Sequence, residues 1–261
     1  MTPERLFDGD LIRGDLFNPE GAQLFVSFRQ RLAEPGAFDT PRSVRTFTSK
    51  GMAHLHLQAR WNDWYINDET EALEAALEAL TERFERVVAM GFSMGGYAAL
   101  RFAAALRLSQ LIAVSPQYSI HKTHVPFDRR YRDCSAGFVP ALGDLSPRGT
   151  GTGGVILADP FRPMDLRNAE LICAAFPGLQ IARLAGAGHP ASRVIREGGK
   201  FGKLQAQLTK PRVPLRRITM IHRNARRDSP RYWRHMAAQA RKSGRLALAE
   251  YCETQSAALA S

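Results

Sequence analysis

Val87-Val88-Ala89-Met90-Gly91-Phe92-Ser93-Met94-Gly95-Gly96-Tyr97-Ala98-Ala99-Leu100-Arg101-Phe102-Ala103 is the stretch on which the fold turns. Its first four residues are apolar without alternation, the pattern of a strand covered on both faces. Residues 98–106 are rich in helix formers and read as a helix. Between the two, Gly91 and Gly95 stand two residues either side of Ser93. A serine on so tight a strand-to-helix turn requires glycines there, because side chains would collide, and the strain lifts its Oγ clear of the sheet. A serine at a helix start also serves as an N-cap; the preceding strand and the following Gly-Gly favour the exposed hydroxyl.

Working outward, residues 4–17 read as an opening antiparallel hairpin broken by Asp-Gly and Arg-Gly. Leu24-Phe25-Val26-Ser27-Phe28 and His54-Leu55-His56-Leu57 read as strands, and residues 69–85 as an amphipathic helix with acids on its outer face. After the Ser93 turn come a strand at 111–114 and a long stretch, 116–153, rich in Gly, Pro and Arg and without a sustained period. So long a break reads as an insertion or lid. Alternation resumes with a strand at 155–158, a helix at 166–176, a strand at 180–184 and a helix near 192–208. Strands alternating with helices of this length predict an α/β fold, a mostly parallel sheet with helices on both faces. Two helices near 231–242 and 245–259 predict a C-terminal helical hairpin, so the chain divides into a body at 1–207 and an extension at 208–261.

With these residues the chain resembles the α/β-hydrolase fold superfamily, over about residues 6–207. The resemblance implies a nucleophile, an acid and a histidine in that chain order, hence Ser93, an aspartate and His189 in Ala185-Gly186-Ala187-Gly188-His189 after the last strand. His189 would take the serine proton and return it to the leaving group, while the carboxylate fixes its tautomer. Two aspartates compete. Asp159 ends the 155–158 strand, where active-site groups of parallel sheets gather, and is favoured; Asp165 is the alternative acid, with a ready role as helix N-cap. Asp144, in the insertion, stands third. The resemblance also implies an oxyanion hole from the backbone N–H of Met94 and one near Arg29, although Ser27-Phe28-Arg29-Gln30 lacks the His-Gly common at that loop.

The other histidines fit less well: His54 and His56 lie in a strand, His121 and His124 in the insertion, His222 and His235 in the basic region. Trp61, Trp64 and Tyr65 read equally as pocket lining above the turn or as core. Arg129-Arg130-Tyr131-Arg132, between Asp128 and Asp133, reads first as a solvated segment and second as an anion site. Cys134, Cys173 and Cys252 have neither disulfide nor metal spacing, so buried thiols are expected, and no cofactor or metal signature is present.

The chain has 261 residues, 44% hydrophobic, and a net charge of +11. That apolar fraction excludes a disordered chain. No apolar run approaches the ~18 residues of a membrane span, and residues 1–10 carry acids where a signal peptide would be basic, so no transmembrane segment and a cytoplasmic location are expected. Residues 181–261 hold 17 of the 36 Lys and Arg but 4 of the 25 acids, a balance of +13, leaving −2 for the first 180. The basicity therefore belongs to the C-terminal third, which reads first as an amphipathic hairpin packed on the body with its arginines exposed and second as a docking place for an acidic lipid, nucleic acid or acidic protein. The expected function is a serine hydrolase acting on a small-molecule, lipid or glycan ester through an acyl-Ser93 intermediate. An acyltransferase with the same triad and a non-catalytic binding or assembly module remain as alternatives.

Overall fold

The computed structural model describes residues 2–148 and 151–260. Eight strands form one sheet: β1 (Glu4–Asp8), β2 (Ile12–Phe17), β3 (Gln23–Phe28), β4 (Ala53–Ala59), β5 (Arg86–Phe92), β6 (Leu108–Val114), β7 (Gly153–Ala158) and β8 (Leu179–Arg183). Their spatial order is β1-β2-β4-β3-β5-β6-β7-β8. β1 and β2 make the expected hairpin and β2 meets β4 antiparallel; every later pairing is parallel. The parallel strands are apolar on both faces and need helices on both.

One face is covered by α2 (Thr70–Thr81), α3 (Met94–Arg101) and α4 (Pro163–Ala175), whose Leu73, Leu77, Leu100 and Ile172 are fully buried in one core cluster. The other is covered by α1 (Arg45–Thr48), α5 (Arg193–Glu197), α6 (Phe201–Gln205) and α7 (Leu215–Ala225), which bury Phe47, Ile195, Leu204 and Ile218. Two helices, α8 (Pro230–Lys242) and α9 (Leu246–Ala258), form the C-terminal hairpin. Among the described residues, no helix is long and apolar enough to cross a membrane.

Four sequence readings need correction. The helix of 69–85 ends at Thr81, whose Oγ1 bonds to Glu78 O and Ala105 O while Arg83 and Phe84 close a tighter turn onto Leu80 and Thr81. The helix of 98–106 begins at Met94 and ends at Arg101. The helix of 192–208 breaks at Gly198-Gly199, with Gly199 at φ +64°, into α5, α6 and a 3₁₀ turn. The sheet's cover does not stop at residue 207. α7 fills the same core through Ile218, Ile221 and Ala225, whose spacing of three and four residues is hidden among the six arginines of 212–227.

The 116–153 stretch, of which 149 and 150 lie outside the described residues, is irregular but tied down. Tyr97 Oη donates to Gly143 O at 2.6 Å, and the fully buried Arg101 donates from Nε to Leu142 O and from its fork to Glu74. Ile120, Val125, Phe138 and Leu145 are buried within it.

β3 and β4 hold a polar row, with His54 fully buried and Ser27 and His56 half-buried. Val44 N–H donates to His54 Nδ1, so His54 Nε2–H donates to Ser27 Oγ at 2.8 Å, and the Ser27 hydroxyl donates to His56 Nδ1 at 2.9 Å. Burial, and then the neighbouring histidine, push His54 down to about 3; burial, and then Arg29, push His56 down to about 4. Both bind protons more readily unfolded than folded, so their neutral row is stable above the unfolded value near 6.5 and is lost as pH falls from there toward 4 and 3. Urea unfolding is expected to give about 2 kcal/mol less stability per histidine at pH 4.5 than at pH 7. His54→Gln removes part of that slope; an unchanged slope contradicts the assignment.

Candidate active site

The Ser93 turn is built as its glycines require. Ser93 has φ 49° and ψ −117°, a conformation disfavoured for any residue with a Cβ. Its N–H is spent on Val114 O, and its carbonyl accepts from Gly96 and Tyr97 to open α3. A Cβ on Gly91 would lie 2.2 Å from Gly95 O, and one on Gly95 would lie 2.5 Å from Phe28 O. Gly91→Ala is therefore expected to cost about 3 kcal/mol by forcing the turn open. Gly202→Ala, where a Cβ meets nothing within 4 Å, serves as control in the same thermal unfolding series; equal effects contradict the close approach.

His189 follows β8 on a loop gripped from both sides. Asp159 accepts the N–H groups of Phe161 and Gly186 on Oδ1 and of Gly188 on Oδ2, at 3.0, 3.2 and 2.7 Å. From the C-terminal helices, His222 Nε2 donates to Ala185 O at 3.1 Å and His235 Nδ1 to Gly186 O at 2.8 Å. Beyond the histidine, Ala191 N–H donates to Ser115 Oγ, one residue past the carbonyl that holds Ser93 N–H.

The aspartate at His189 is Asp165. Its Oδ2 lies 2.7 Å from His189 Nδ1, and it is fully buried. The favoured Asp159 does not reach His189, because both its oxygens are turned into the loop's own N–H groups. A strand-end position thus gave Asp159 the loop, while the helix start gave Asp165 the histidine. Asp165 is not the N-cap of α4, a position held by Arg162; it is the third residue of that helix, where the dipole favours an anion. Burial pushes its carboxyl up, but the His189 bond and the Arg130 charge outweigh this and hold it below the usual range. Asp144, the third candidate, caps Ser146 instead.

Ser93 Oγ, on a residue only 6% exposed, donates to Gln117 Oε1 at 3.4 Å, and among the described residues no hydrogen bond joins it to His189. Gln117 Oε1 also accepts from Trp64 Nε1 at 3.1 Å, and its amide donates to Ser115 O. The Tyr131 phenol sits against Ser93 and, 4.9 Å between ring centroids, against Trp64; burial raises it, opposed first by the Arg130 charge and then by the Ser93 contact. The aromatic cluster is accordingly split. Trp64 and Tyr65 are core, while Trp61 is 49% exposed.

Met94 N–H, in the first turn of α3, has no acceptor among the described residues. Arg29 N–H is not free for an oxyanion: it donates to Leu57 O at 2.8 Å, prolonging the β3–β4 ladder. Tyr65 Oη, bonded to Arg29 O and Leu57 O, fixes that end. The next N–H, of Gln30, has no acceptor among the described residues, and its loop abuts Gly95 through Phe28 O and Arg29 O. Sequence reading missed Gln117, Tyr131 and Arg130 as neighbours of the site. Gln117 had a signal, three residues past the end of β6, where parallel strands deliver functional groups; the other two sit in a segment without periodicity. No three of the described His, Cys, Asp and Glu residues are grouped to hold a metal ion. Of the thiols, Cys252 is buried and Cys134 and Cys173 are half-buried.

The chain has the α/β-hydrolase fold. A variant of the capsule O-acetyltransferase of Neisseria meningitidis serogroup A, solved in complex with CoA, is similar over 76% of this chain and 94% of its own, with TM-score 0.54 and 15% identity. Est1E from Butyrivibrio proteoclasticus is similar over 78% of this chain and 98% of its own, with TM-score 0.50 and 13% identity. The Pyrococcus furiosus esterase Pf2001 aligns over 80% and 93%, with TM-score 0.49 and 14% identity. No protein-family model and no curated protein sequence matches the chain.

Proposed function

We propose that this protein transfers acyl groups from an ester through an acyl-Ser93 intermediate, with His189 as base and Asp165 as its partner. The observation that carries the reading is the 2.7 Å bond from His189 to the fully buried Asp165, after the same C-terminal strand ends that present Ser93 in its strained turn. With Nδ1–H held by Asp165, the neutral imidazole keeps Nε2 as its acceptor, as a base toward a serine hydroxyl requires.

Ser93 Oγ leaves Gln117 and attacks the ester carbonyl carbon while its proton passes to His189 Nε2. The carbonyl oxygen, now anionic, is met by the Met94 N–H, with the Gln30 N–H as the second donor in place of Arg29. The alkoxide leaves with the proton from His189, and acyl-Ser93 remains. Water gives hydrolysis and an alcohol gives transfer; in both, His189 takes the incoming proton and returns it to Ser93. The solved structures of similar fold include one named as an O-acetyltransferase, which agrees with transfer.

The test is turnover of a short acetyl ester with and without a polyol acceptor, read as acetate and as acetylated polyol. Product that depends on Ser93 supports the reading, and the ratio of the two products separates hydrolase from transferase. A second reading, a binding module, draws on the bond of Ser93 to Gln117 rather than His189; absence of turnover with every short acyl ester favours it.

A further inference from the structure

Arg130 belongs to the irregular insertion, yet its guanidinium ends at the acid of the site. Nη1 donates to Asp165 Oδ1 at 2.6 Å, on the oxygen that His189 leaves free. Nε and Nη2 fork onto Asp128 at 2.9 and 2.7 Å. Asp128 is fixed in turn by Asn168 Nδ2 at 2.9 Å, and Asn168 Oδ1 accepts from Tyr118 N–H. Asp128, Arg130, Asp165 and His189 thus form one row. Asp128 and Asp165 are 3% and 0% exposed at their side chains, whereas Arg130 and His189 keep 32% and 21%.

Two features separate this row from a tether for the insertion. Tyr97 and Arg101 already anchor the insertion through Gly143 and Leu142, and the fork on Asp128 alone would order residues 128–130. The bond to Asp165 adds a cation to the carboxylate that serves the imidazole. With His189 neutral the row carries one net negative charge, and with His189 protonated it carries none.

We propose that Arg130 is a positioning residue for the Asp165–His189 pair, locking the plane of the carboxylate and setting the net charge that the imidazolium meets. The inference rests on the acyl-transfer reading. Arg130 makes the buried carboxylate less negative as His189 sees it and so weakens its attraction for an imidazolium; Asp128 limits that effect by neutralising the guanidinium. Removing Arg130 leaves the carboxylate at the imidazole without its cation and with the charge of Asp128 behind it, and removing the charge of Asp128 leaves an uncompensated cation on Asp165. The two changes therefore act with opposite sign, which loss of packing does not produce. Other charged or titratable groups near the His189 loop are Asp159 and Arg162 between β7 and α4, His222 on α7, Tyr232 and His235 on α8 and Tyr131 in the insertion; among the described residues none of them is hydrogen-bonded to His189.

The experiment is the pH dependence, from 5 to 9, of the labelling rate with a fluorophosphonate. Beside it, ¹⁵N NMR titration of the His189 ring, assigned by its loss in His189→Gln, gives a midpoint that needs no activity. In Arg130→Gln the acidic midpoint is expected to move up by about one unit, and in Asp128→Asn to move down by up to about one unit. Arg130→Lys keeps the charge and loses the fork, so its midpoint stays near the wild type while the rate falls. Wild-type midpoints in both charge-removing variants, or shifts of the same sign, overturn the proposal; if Arg130→Gln does not fold, a moved midpoint in Arg130→Lys overturns it. Wild-type protein that titrates as expected but never labels counts instead against the acyl-transfer reading.

Discussion

Ser93→Ala is expected to abolish turnover of acyl esters, by about 10⁴-fold or more, while leaving the fold intact. The size follows from the chemistry, since without the hydroxyl no covalent intermediate forms and His189 has only water to activate. The fold survives because Ser93 contributes its N–H to Val114 and its carbonyl to the start of α3, and alanine keeps both. Alanine gives up the 3.4 Å bond to Gln117, which still holds Trp64 and Ser115, and the contact with the Tyr131 phenol. Matched thermal unfolding of the two proteins makes the loss of turnover interpretable; a variant that keeps a tenth of the rate contradicts the assignment.

The two aspartates are expected to separate just as sharply. Asp165→Asn presents an amide to His189 Nδ1 and to Arg130 in place of a shared carboxylate, so the imidazole loses both its tautomer control and its counter-charge. The acylation rate is expected to fall by about 10³ to 10⁴-fold. Asp159→Asn strips an acceptor from a site of three N–H donors, because an amide NH₂ faces either Gly188 or the pair Phe161 and Gly186. Its expected cost is stability, about 1–3 kcal/mol by denaturant unfolding, with the rate of the folded fraction within about tenfold of wild type. The reverse order of the two rates would return the acid's role to Asp159.

Much of this was legible in the sequence because it is written in local patterns. The β5 strand, the glycines around Ser93 and the Gly-rich loop before His189 each require particular residue types at fixed spacing, and each stands where the pattern put it. The β/α alternation of 153–183 gave the parallel half of the sheet for the same reason. Asp165 was harder, since an acid at a helix start has an ordinary explanation, and only three dimensions reveal that Asp159 is already saturated by loop N–H groups. The Arg29 N–H failed as a donor because the β3–β4 ladder runs one residue longer than the apolar run suggests. Arg130, Tyr131 and Gln117 reach the site from an aperiodic segment whose path is fixed by distant partners, Tyr97, Arg101 and Asn168. No local spacing encodes such contacts. α7 was hidden for a compositional reason: its buried Ile218, Ile221 and Ala225 are flanked by Arg216, Arg217, Arg226 and Arg227, which dominate a reading of charge.

The measurement that bears most directly on this site is covalent labelling by a fluorophosphonate, followed by mass spectrometry of the intact protein and of its peptides. One adduct per chain, carried by the peptide containing Ser93, absent in Ser93→Ala and slowed at least a hundredfold in His189→Gln, is the predicted result. No adduct on the folded wild-type protein, or the same adduct in Ser93→Ala, would contradict it.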